Sequence, residues 1–472
     1  MTTGTEPIEY QLKSTTNCRL LAILLAFGSF YNGYCSAIFN PMAKVVLQRV
    51  YNIDPDKEKA KMDNITGLIN AVFAIGAMVG VFSVGIIANK IGRKPLVYAS
   101  EIVGMSVCVL YFIESLEIMI VARFISGIVA GMSSIGGIII SELLPNRISG
   151  FGNGCGYVIG TFAMLCGYAT QNVMSQDTLF DYWKQIICIT VVTSAARILI
   201  LPMFLRTDTP KYIYNSTESE DEVYNKIKEC YKHIYSFEDV DKATFEAIKT
   251  FNQHKQEERK VGFGQLFTPK FIKRTYAGCF LAFAQQVCGI NFFIFYSDRI
   301  FNKISNNGKE MTLVIGISNF LAGFIALDLI ERLGRKFNFV FGSLIQAFSL
   351  ALLLIGIGLE IFAITATAAC IYIMSFAVGL GSSYGAYMNE SLPPVGVGLA
   401  VAIQWIFTAL IGYLTPILDD NFGEVNILTF FAAVCLILFF VLGKITIETK
   451  GKKEYQIDEK FAKGDLRWFD FS

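Results

Sequence analysis

The chain has 472 residues, of which 53% are hydrophobic and only 17% are charged, and it contains 40 phenylalanines. Its mean hydropathy is +0.49. This balance excludes a soluble globular domain and predicts a protein whose solvent is lipid. The formal net charge of +1 gives no bulk attraction to nucleic acid, so no nucleic-acid partner is expected.

The first half contains six apolar runs, each long enough to cross the hydrocarbon core as a helix of roughly 20 residues. Residues 1–19 form a polar tail that lacks the short apolar region and cleavage site of a signal peptide. The first run is therefore predicted to be a retained signal anchor. The six runs, which make a bundle over residues 20–205, start near Leu20, Ile65, Leu96, Ile118, Phe151 and Gln185.

A polar segment of helical character, residues 206–273, separates these runs from six more. It is rich in Lys, Glu and Asp and contains both histidines, so it is predicted to be a soluble linker. The second bundle covers residues 274–446, and a charged tail covers residues 447–472. The later runs start near Tyr276, Thr312, Phe337, Ile361, Val395 and Asn426.

Internal repeats relate the two halves. The segment 89–94, Asn-Lys-Ile-Gly-Arg-Lys, returns as Glu-Arg-Leu-Gly-Arg-Lys at 331–336, and Glu142-Leu-Leu-Pro returns as Glu390-Ser-Leu-Pro. The segment after the sixth run is echoed in the same order after the twelfth, at an offset of roughly 240 residues. The prediction is an all-α membrane protein with twelve transmembrane helices in two pseudo-symmetric six-helix bundles.

The positions of Lys and Arg predict the orientation, because cytoplasmic loops carry an excess of both residues. Basic clusters lie at 90–94, between the second and third runs, and at 332–336, between the eighth and ninth. Both termini and the linker agree with them and are predicted to be cytoplasmic. The loop after the first run also carries five basic residues, but acidic residues are interleaved there.

The basic clusters also suggest salt bridges, because Gly allows a tight turn that places the following cations at helix ends. Arg93 and Arg335 have suitable partners in Glu142 and Glu390, unless these charges serve topology alone. The hypothesis is a set of cytoplasmic ion pairs that hold the two bundles together. Arg123 is expected inside the fourth run, where a charge needs a partner, and Glu142 is its predicted carboxylate.

The seventh run contains amides inside an otherwise apolar sequence, Gln285-Gln-Val-Cys-Gly-Ile-Asn291. Gln285, Gln286 and Asn291 together offer donors and acceptors, which a polyhydroxylated ligand needs in place of its lost water. The alternative is hydrogen bonding between helices, a common role of amides in membrane spans. The pattern alone does not separate the two interpretations.

Several segments resemble the sugar porters of the major facilitator superfamily, in particular the facilitative glucose transporters. The similarity runs from about Gly33 to Gly451 and is carried by four segments: Met78 to Lys94, Ala122 to Gly127, Asp208 to Lys211, and Glu448 to Gly451. The segment 285–291 resembles the Gln-Gln-x-x-Gly-x-Asn signature of the family, whose amides contact sugar. The resemblance implies that Gln285, Gln286 and Asn291 bind a monosaccharide.

The resemblance implies further pocket residues. Asn319 matches a sugar-contacting Asn of the eighth span, and Gln404 with Trp405 matches a polar-Trp pair of the eleventh, although Trp405 is equally suited to packing or to interfacial anchoring. Tyr157 aligns with the usual Gln of the fifth span and is taken as a pocket residue.

Two segments depart from the family pattern. After the fourth span, Arg147 stands two places before the expected position and Ser149 occupies that position, so the inner charge network is expected to be rewired. The tenth span lacks the family's prolines, Trp and acid, and Tyr384 or Tyr387 is a candidate substitute ring. These departures leave open which sugar or polyol is the substrate.

The energy source can be inferred from one position. Proton-coupled members resemble one another in an Asp after Gly-Tyr in the first span, beside a buried Arg, whereas this chain has Cys35 there. A thiol that stays un-ionised near neutral pH does not replace that acid, so uniport is expected, with Glu101 as a membrane acid of no assigned role.

No cofactor, metal or enzymatic site is predicted. Nine of the eleven cysteines fall in apolar runs without metal-ligand or disulfide spacing, and no phosphate-binding Gly-rich motif occurs. Both histidines lie in the linker, and no nucleophile and base stand together within the spans.

The sequence thus predicts facilitative transport of a monosaccharide such as a hexose, by alternating access, in the plasma membrane. A sugar and membrane lipid are the expected partners, with no obligate protein partner. A proton-coupled symporter and a non-transporting sugar sensor remain as alternatives. The charged tail, of roughly 25 residues, is short for a sensor's signalling tail, which argues against the latter.

Overall fold

The computed structural model describes residues 16–463, apart from 55–56, 175, 218, 237, 259–262, 295–300, 302–307 and 453. Each apolar run of the sequence forms a long helix. Twelve such helices, called here the first to twelfth spans, lie within the described residues, six in each half, and the linker helices lie between the sixth and seventh spans in the sequence.

Three of the six spans in the first half are interrupted. The first, fourth and sixth consist of two helical pieces each, and the third ends in a 3₁₀ turn. The bounds of the six spans are Thr16–Ala26 with Ser29–Arg49, Lys59–Ile91, Arg93–Val107 with Cys108–Phe112, Leu116–Met132 with Ile135–Leu143, Asn146–Val173, and Gln176–Ile187 with Ile189–Phe204.

In the second half, the seventh and tenth spans depart from regular helix. The tenth contains a π-helical turn over Ala377–Gly381. The bounds of these spans are Ile272–Val287, Gly308–Leu333, Arg335–Gly358, Phe362–Phe376 continuing to Ser382–Ser391, Pro394–Phe422, and Glu424–Ile445.

Eleven of the spans are long and apolar enough to cross a membrane. The fifth span has sufficient length, 28 residues, but contains several glycines and polar residues. It packs between the first and eighth spans, so these residues face helices rather than lipid. The twelve-helix fold expected from the sequence is confirmed, and its least apolar helix lies at the centre.

The two halves meet along two pairs of helices, the second with the eleventh and the fifth with the eighth. Small residues allow the close approach in both. Ala71, Ala74 and Ala409 form one buried contact between the second and eleventh spans. A methyl group on Gly67 would lie 3.1 Å from the Tyr413 carbonyl oxygen, so the second and eleventh backbones nearly touch there.

The outer surface of the spans is apolar. Ile86, Val109, Leu199 and Phe348 are each more than 60% exposed. A soluble protein rarely leaves so many large side chains in water, whereas lipid tails solvate them without penalty. The exposed residues confirm an integral membrane protein that crosses the bilayer several times.

The linker forms three helices on the first half, α1 (Pro210–Ser216), α2 (Glu220–Tyr231) and α3 (Val240–Glu258). They share one core with the start of the first span. The thiol of Cys18 donates to the Ile234 carbonyl at 2.9 Å. The Cys230 thiol is buried in this core, which raises its pKa to about 12 and keeps it protonated at neutral pH.

A further helix, α4 (Glu454–Lys463), lies in the predicted C-terminal tail and packs on the second half. Its Ile457 and Phe461 join Ala277 in a small core. Asp458 forms an ion pair with Arg274, whose side chain is 1% exposed at the start of the seventh span. The tail is therefore a folded part of the second half over these residues.

The break in the first span, at residues 27–28, is held by Arg197 of the sixth span. The guanidinium donates to the carbonyls of Leu24 and Leu25 and forms an ion pair with Glu101 of the third span. A methyl group on Gly28 would lie 3.1 Å from this guanidinium. The sequence suggested no role for Glu101. Its carboxylate neutralises the Arg197 guanidinium, which donates hydrogen bonds to the carbonyls at the break in the first span.

We expect Glu101→Ala to lower the free energy of unfolding by about 3–5 kcal/mol, because it leaves a buried guanidinium without its counter-charge. The thermal midpoint of the purified protein in detergent measures this. Glu114→Ala removes the partner of Lys184 in an exposed pair and serves as the matched control. Its expected change is about 1 kcal/mol or less. Equal losses in both variants would contradict the structural role of Glu101.

Candidate functional site

The seventh span ends its regular helix at Val287, directly after Gln285 and Gln286. Gly289 follows with φ +97°, a conformation that favours glycine. A methyl group there would also lie 2.7 Å from the Phe431 ring. The turn interrupts the helix between Gln286 and Asn291, and helical structure resumes at residues 290–294.

The three amides form a hydrogen-bonded series. The Asn291 side-chain amide donates to Gln286 Oε1 at 2.5 Å, and the Gln286 amide donates to Gln285 Oε1 at 3.2 Å. All three side chains are buried, with 4–7% of their surface exposed. An amide has two donors and two acceptor lone pairs, so each keeps capacity for a ligand beyond these bonds.

Two neighbouring helices complete this amide cluster. Gln285 donates to the Leu380 carbonyl at 3.1 Å, within the π-helical turn of the tenth span. Thr408 of the eleventh span donates to Gln286 Oε1 at 2.9 Å. Neither group was predicted from the sequence. The position of Thr408, one helical turn after Gln404, could have indicated a pocket residue, whereas no sequence pattern indicates the role of the Leu380 carbonyl.

Asn319 lies on the face of the eighth span that packs on the fifth. Gly316 and Gly323, one turn to either side of it, contact Leu165 and Val158. Asn319 Oδ1 is buried and has no hydrogen-bond partner among the described residues. A buried acceptor without a partner in a membrane span is a place for a ligand hydroxyl or a water.

The remaining candidates lie on the fifth, tenth and eleventh spans, and Tyr387 lies near Glu390 and Glu448 instead of the amide cluster. Gln404 and Trp405 are half-buried on the eleventh span, and Trp405 packs on the alanine contact with the second span. Tyr157 of the fifth span meets the tenth span at Gly381. Tyr387 is fully buried against Phe339 at a ring distance of 5.4 Å.

The break in the seventh span has its own donors. The Cys288 carbonyl, left without its helical partner, accepts from the Tyr372 hydroxyl at 2.9 Å and from the Cys435 thiol at 3.5 Å. Tyr372 belongs to the tenth span and has no exposed surface. Because the break separates Gln286 from Asn291, the Tyr372 hydroxyl helps to set the distance between them.

At the predicted inner end of the first half, two carboxylates hold the turn before the third span. Arg93 makes two bonds of 3.0 Å to Glu142, which also accepts from Thr209 at 2.7 Å. The Asp208 carboxylate accepts from the backbone N–H groups of Arg93 and Lys94 at 3.0 and 3.2 Å. It thereby caps the N-terminus of the third span.

The second half repeats the arrangement. Arg335 pairs with Glu390 at 2.6 Å, and the Thr449 hydroxyl donates to Glu390 at 2.6 Å. Glu448 accepts from the backbone N–H groups of Arg335 and Lys336 at 2.9 and 3.0 Å. The paired groups correspond to those of the first half, as the sequence repeats predict.

One expectation about these charges is wrong. Both ion pairs lie within one half: Arg93 and Glu142 belong to the first, Arg335 and Glu390 to the second. They therefore do not join the two bundles, because each Arg is held by the carboxylate of its own repeat. The Arg147 side chain lies outside the described residues.

The predicted pairing of Arg123 with Glu142 is also wrong, since Glu142 lies at the predicted inner end and is bound by Arg93. Arg123 is buried inside the fourth span and donates to the Cys35 carbonyl at 3.0 Å. Its guanidinium stacks on the rings of Phe39 and Phe73 at 4.7 and 4.5 Å. No carboxylate pairs with it in the part of the chain that the structure describes.

Two six-helix halves with a buried amide cluster between membrane spans define a transporter of the major facilitator type. A comparison with family profiles matches the one described as "Sugar (and other) transporter" over residues 21–461. The chain belongs to this family, the sugar porters, which are transporters and not enzymes.

Curated relatives cover nearly the whole chain at low identity. A facilitated glucose transporter, member 5 of solute carrier family 2 from Rattus norvegicus, is 23% identical over 96% of this chain and 93% of its own length. The arabinose-proton symporter of Bacillus subtilis is 24% identical over 94% and 95%. The relatives thus include both facilitative and proton-coupled transporters.

Solved structures show the same fold. The xylose transporter XylE from E. coli, in a partially occluded inward-open conformation, superposes with a TM-score of 0.77 at 17% identity, over 93% of this chain and 100% of that one. XylE bound to 6-bromo-6-deoxy-D-glucose gives 0.76 at 18% identity, over 94% and 98%.

We expect Tyr372→Phe to loosen the break in the seventh span, because the Cys288 carbonyl loses its shorter bond. One lost hydrogen bond, about 1 kcal/mol, corresponds to roughly fivefold faster amide exchange around residues 287–291. Hydrogen exchange read by mass spectrometry measures this.

Tyr34→Phe is the matched control, since the Tyr34 hydroxyl donates to the Ile186 carbonyl at 2.9 Å in the other half. It should accelerate exchange near residue 186 and leave residues 287–291 unchanged. An unchanged seventh span in Tyr372→Phe would contradict the assignment.

Proposed function

We propose that this protein carries a monosaccharide, most simply a hexose, down its concentration gradient by alternating access. The observation that supports the substrate class is the amide cluster of Gln285, Gln286 and Asn291, together with the Asn319 oxygen, which has no partner in the part of the chain that the structure describes. Several donors and acceptors in a buried space replace the water lost by a ring with many hydroxyl groups.

The same proposal assigns roles to the surrounding residues. Gln404 and Trp405 border the cluster from the eleventh span and Tyr157 from the fifth. The ion pairs of Arg93 and Arg335 stiffen the inner end of each half, so that each half moves as one body.

Uniport is proposed because Arg123, unlike the buried Arg93 and Arg197 of the same half, pairs with no carboxylate among the described residues. Arg123 bonds to the backbone of Cys35 and stacks on two phenylalanine rings. A carboxylate beside Arg123 would change charge with pH and link proton movement to the transport cycle. Cys35 stays neutral, so transport has no built-in proton step at this position.

Counterflow of labelled D-glucose into liposomes that contain the purified protein tests the substrate and the mode. We expect saturable uptake that a protonophore does not change. In Gln286→Ala the half-saturation concentration should rise about tenfold, because one well-placed hydrogen bond is lost.

Asn338→Ala is the matched control, since Asn338 is a buried amide of the same half that bonds to Ser383 outside the cluster. Its half-saturation concentration should stay near that of the unmodified chain. Uptake that collapses with the protonophore would favour a symporter, and sugar binding without flux would favour a sensor.

A carboxylate introduced beside Arg123 tests the coupling argument directly. In Cys35→Asp we expect uptake to depend on an imposed proton gradient, because the new acid can bind and release a proton next to a fixed cation. Sugar uptake into liposomes with an acidic exterior, compared with a neutral one, measures this. Cys35→Ser should behave like the unmodified chain, and gradient dependence in all three would refute the role of Cys35.

A further inference from the structure

Tyr157 reaches from the first half into the second. A methyl group on Gly381 of the tenth span would lie 2.7 Å from the Tyr157 hydroxyl oxygen. One on Gly323 of the eighth span would lie 3.7 Å from Tyr157 Cδ1. The aromatic side chain thus occupies a space, the Gly323–Gly381 notch, which depends on the missing side chain of Gly381 and is bordered at contact distance by Gly323.

The notch borders the amide cluster. Gly381 directly follows Leu380, whose carbonyl accepts from Gln285. Gly323 is one helical turn from Asn319, on the side toward the Arg335 end of the eighth span. The Tyr157 ring therefore lies beside the amides, on the side where both ion-pair clusters are found.

One turn closer to that end, the fifth and eighth spans are in direct contact. A methyl group on Gly154 would lie 2.2 Å from Leu327 Cδ2, so Leu327 fills the space at Gly154. The phenol of Tyr157 and the isobutyl group of Leu327 thus close consecutive turns between the two halves. Both side chains therefore lie between the amides and the ion-pair end of the fifth and eighth spans.

We propose that Tyr157 is the floor of the pocket and a gating residue, whose withdrawal from the Gly323–Gly381 notch opens the route toward the ion-pair end. The inference rests on the proposed sugar transport. It assigns to this side chain a second role, contact between the halves, beyond lining the pocket. Gly381 is part of this gate, because the absence of a side chain there allows the Tyr157 phenol to enter and leave the notch.

Three variants test the contact between Tyr157 and Gly381: Gly381→Ala, Tyr157→Phe and the combination of both. The added methyl group should lower the maximal counterflow rate about tenfold. Overpacking pushes the phenol out of its seat, so the route toward the ion-pair end stays open and the halves no longer alternate between their two states. Removing the Tyr157 hydroxyl oxygen gives the methyl group of Gly381→Ala room. The maximal rate of the double variant should therefore be within about threefold of the rate of Tyr157→Phe alone. Gly385→Ala is the control, since a methyl group there meets no atom within 4 Å.

A double variant as slow as Gly381→Ala would overturn the proposal. It would place the clash at the Phe376 carbonyl, 3.0 Å from the added methyl group, instead of at Tyr157. A Gly381→Ala protein as fast as the unmodified chain would overturn it as well. Glucose flux by the unmodified chain separates this failure from failure of the proposed function, which predicts that flux independently.

Two measurements keep the test decisive if Gly381→Ala is unstable or no sugar flux is found. The thermal midpoint should fall in Gly381→Ala and recover in the double variant, whether or not sugar moves. Tyr157→Ala should raise the half-saturation concentration about fivefold, because the ring is lost from the floor, whereas Tyr157→Phe should stay within about twofold. A thermal midpoint of the double variant as low as that of Gly381→Ala would contradict the proposed contact. Equal half-saturation concentrations in Tyr157→Ala and Tyr157→Phe would contradict the role of the Tyr157 ring as the floor of the pocket.

Discussion

A bilayer has no water to receive the carbonyl groups that a broken helix leaves free, and each of them needs a donor from the protein. At four irregular places in the described spans, a side chain from a neighbouring helix meets this requirement, whereas Ser133 and Ser134 do so from within the fourth span. The bonds between helices run from Arg197 to Leu24 and Leu25, from Tyr34 to Ile186, from Tyr372 to Cys288, and from Gln285 to Leu380. Irregular backbone is therefore possible only where a donor stands beside it, and two of these four places border the amide cluster.

The inner ends of the two halves follow the same logic at helix termini. A positive φ at Gly92 and Gly334 starts the third and ninth spans, and a carboxylate from a distant segment accepts their free N–H groups. A side chain on either glycine would meet that carboxylate, at 2.2 Å in the first half and 2.5 Å in the second. The repeated sequence therefore encodes the same glycine turn and carboxylate cap twice, and each copy fixes the start of a span within its own half.

The halves differ where the chemistry lies. The second half supplies the hydrogen-bonding amides, while the first contributes Tyr157 and the alanine contact of the second span. The one buried cation of the fourth span, Arg123, is satisfied by a carbonyl and two rings instead of a carboxylate. The two halves thus share a fold but differ in polarity at this place: the amide cluster lies in the second half, and the first half contributes aromatic and apolar surface against it.

The sequence by itself determined the twelve spans, the helical character of the linker and the identity of the amides, because apolar length and polar interruptions are local properties of the chain. It also identified Glu142 and Glu390 as partners of the Gly-Arg-Lys loops, since the repeats fix those positions relative to one another. Only the tertiary structure decided that each pair stays within its half and that Arg123 meets Cys35. The same holds for the seat of Tyr157 between two glycines, because contacts between distant helices depend on how the spans pack.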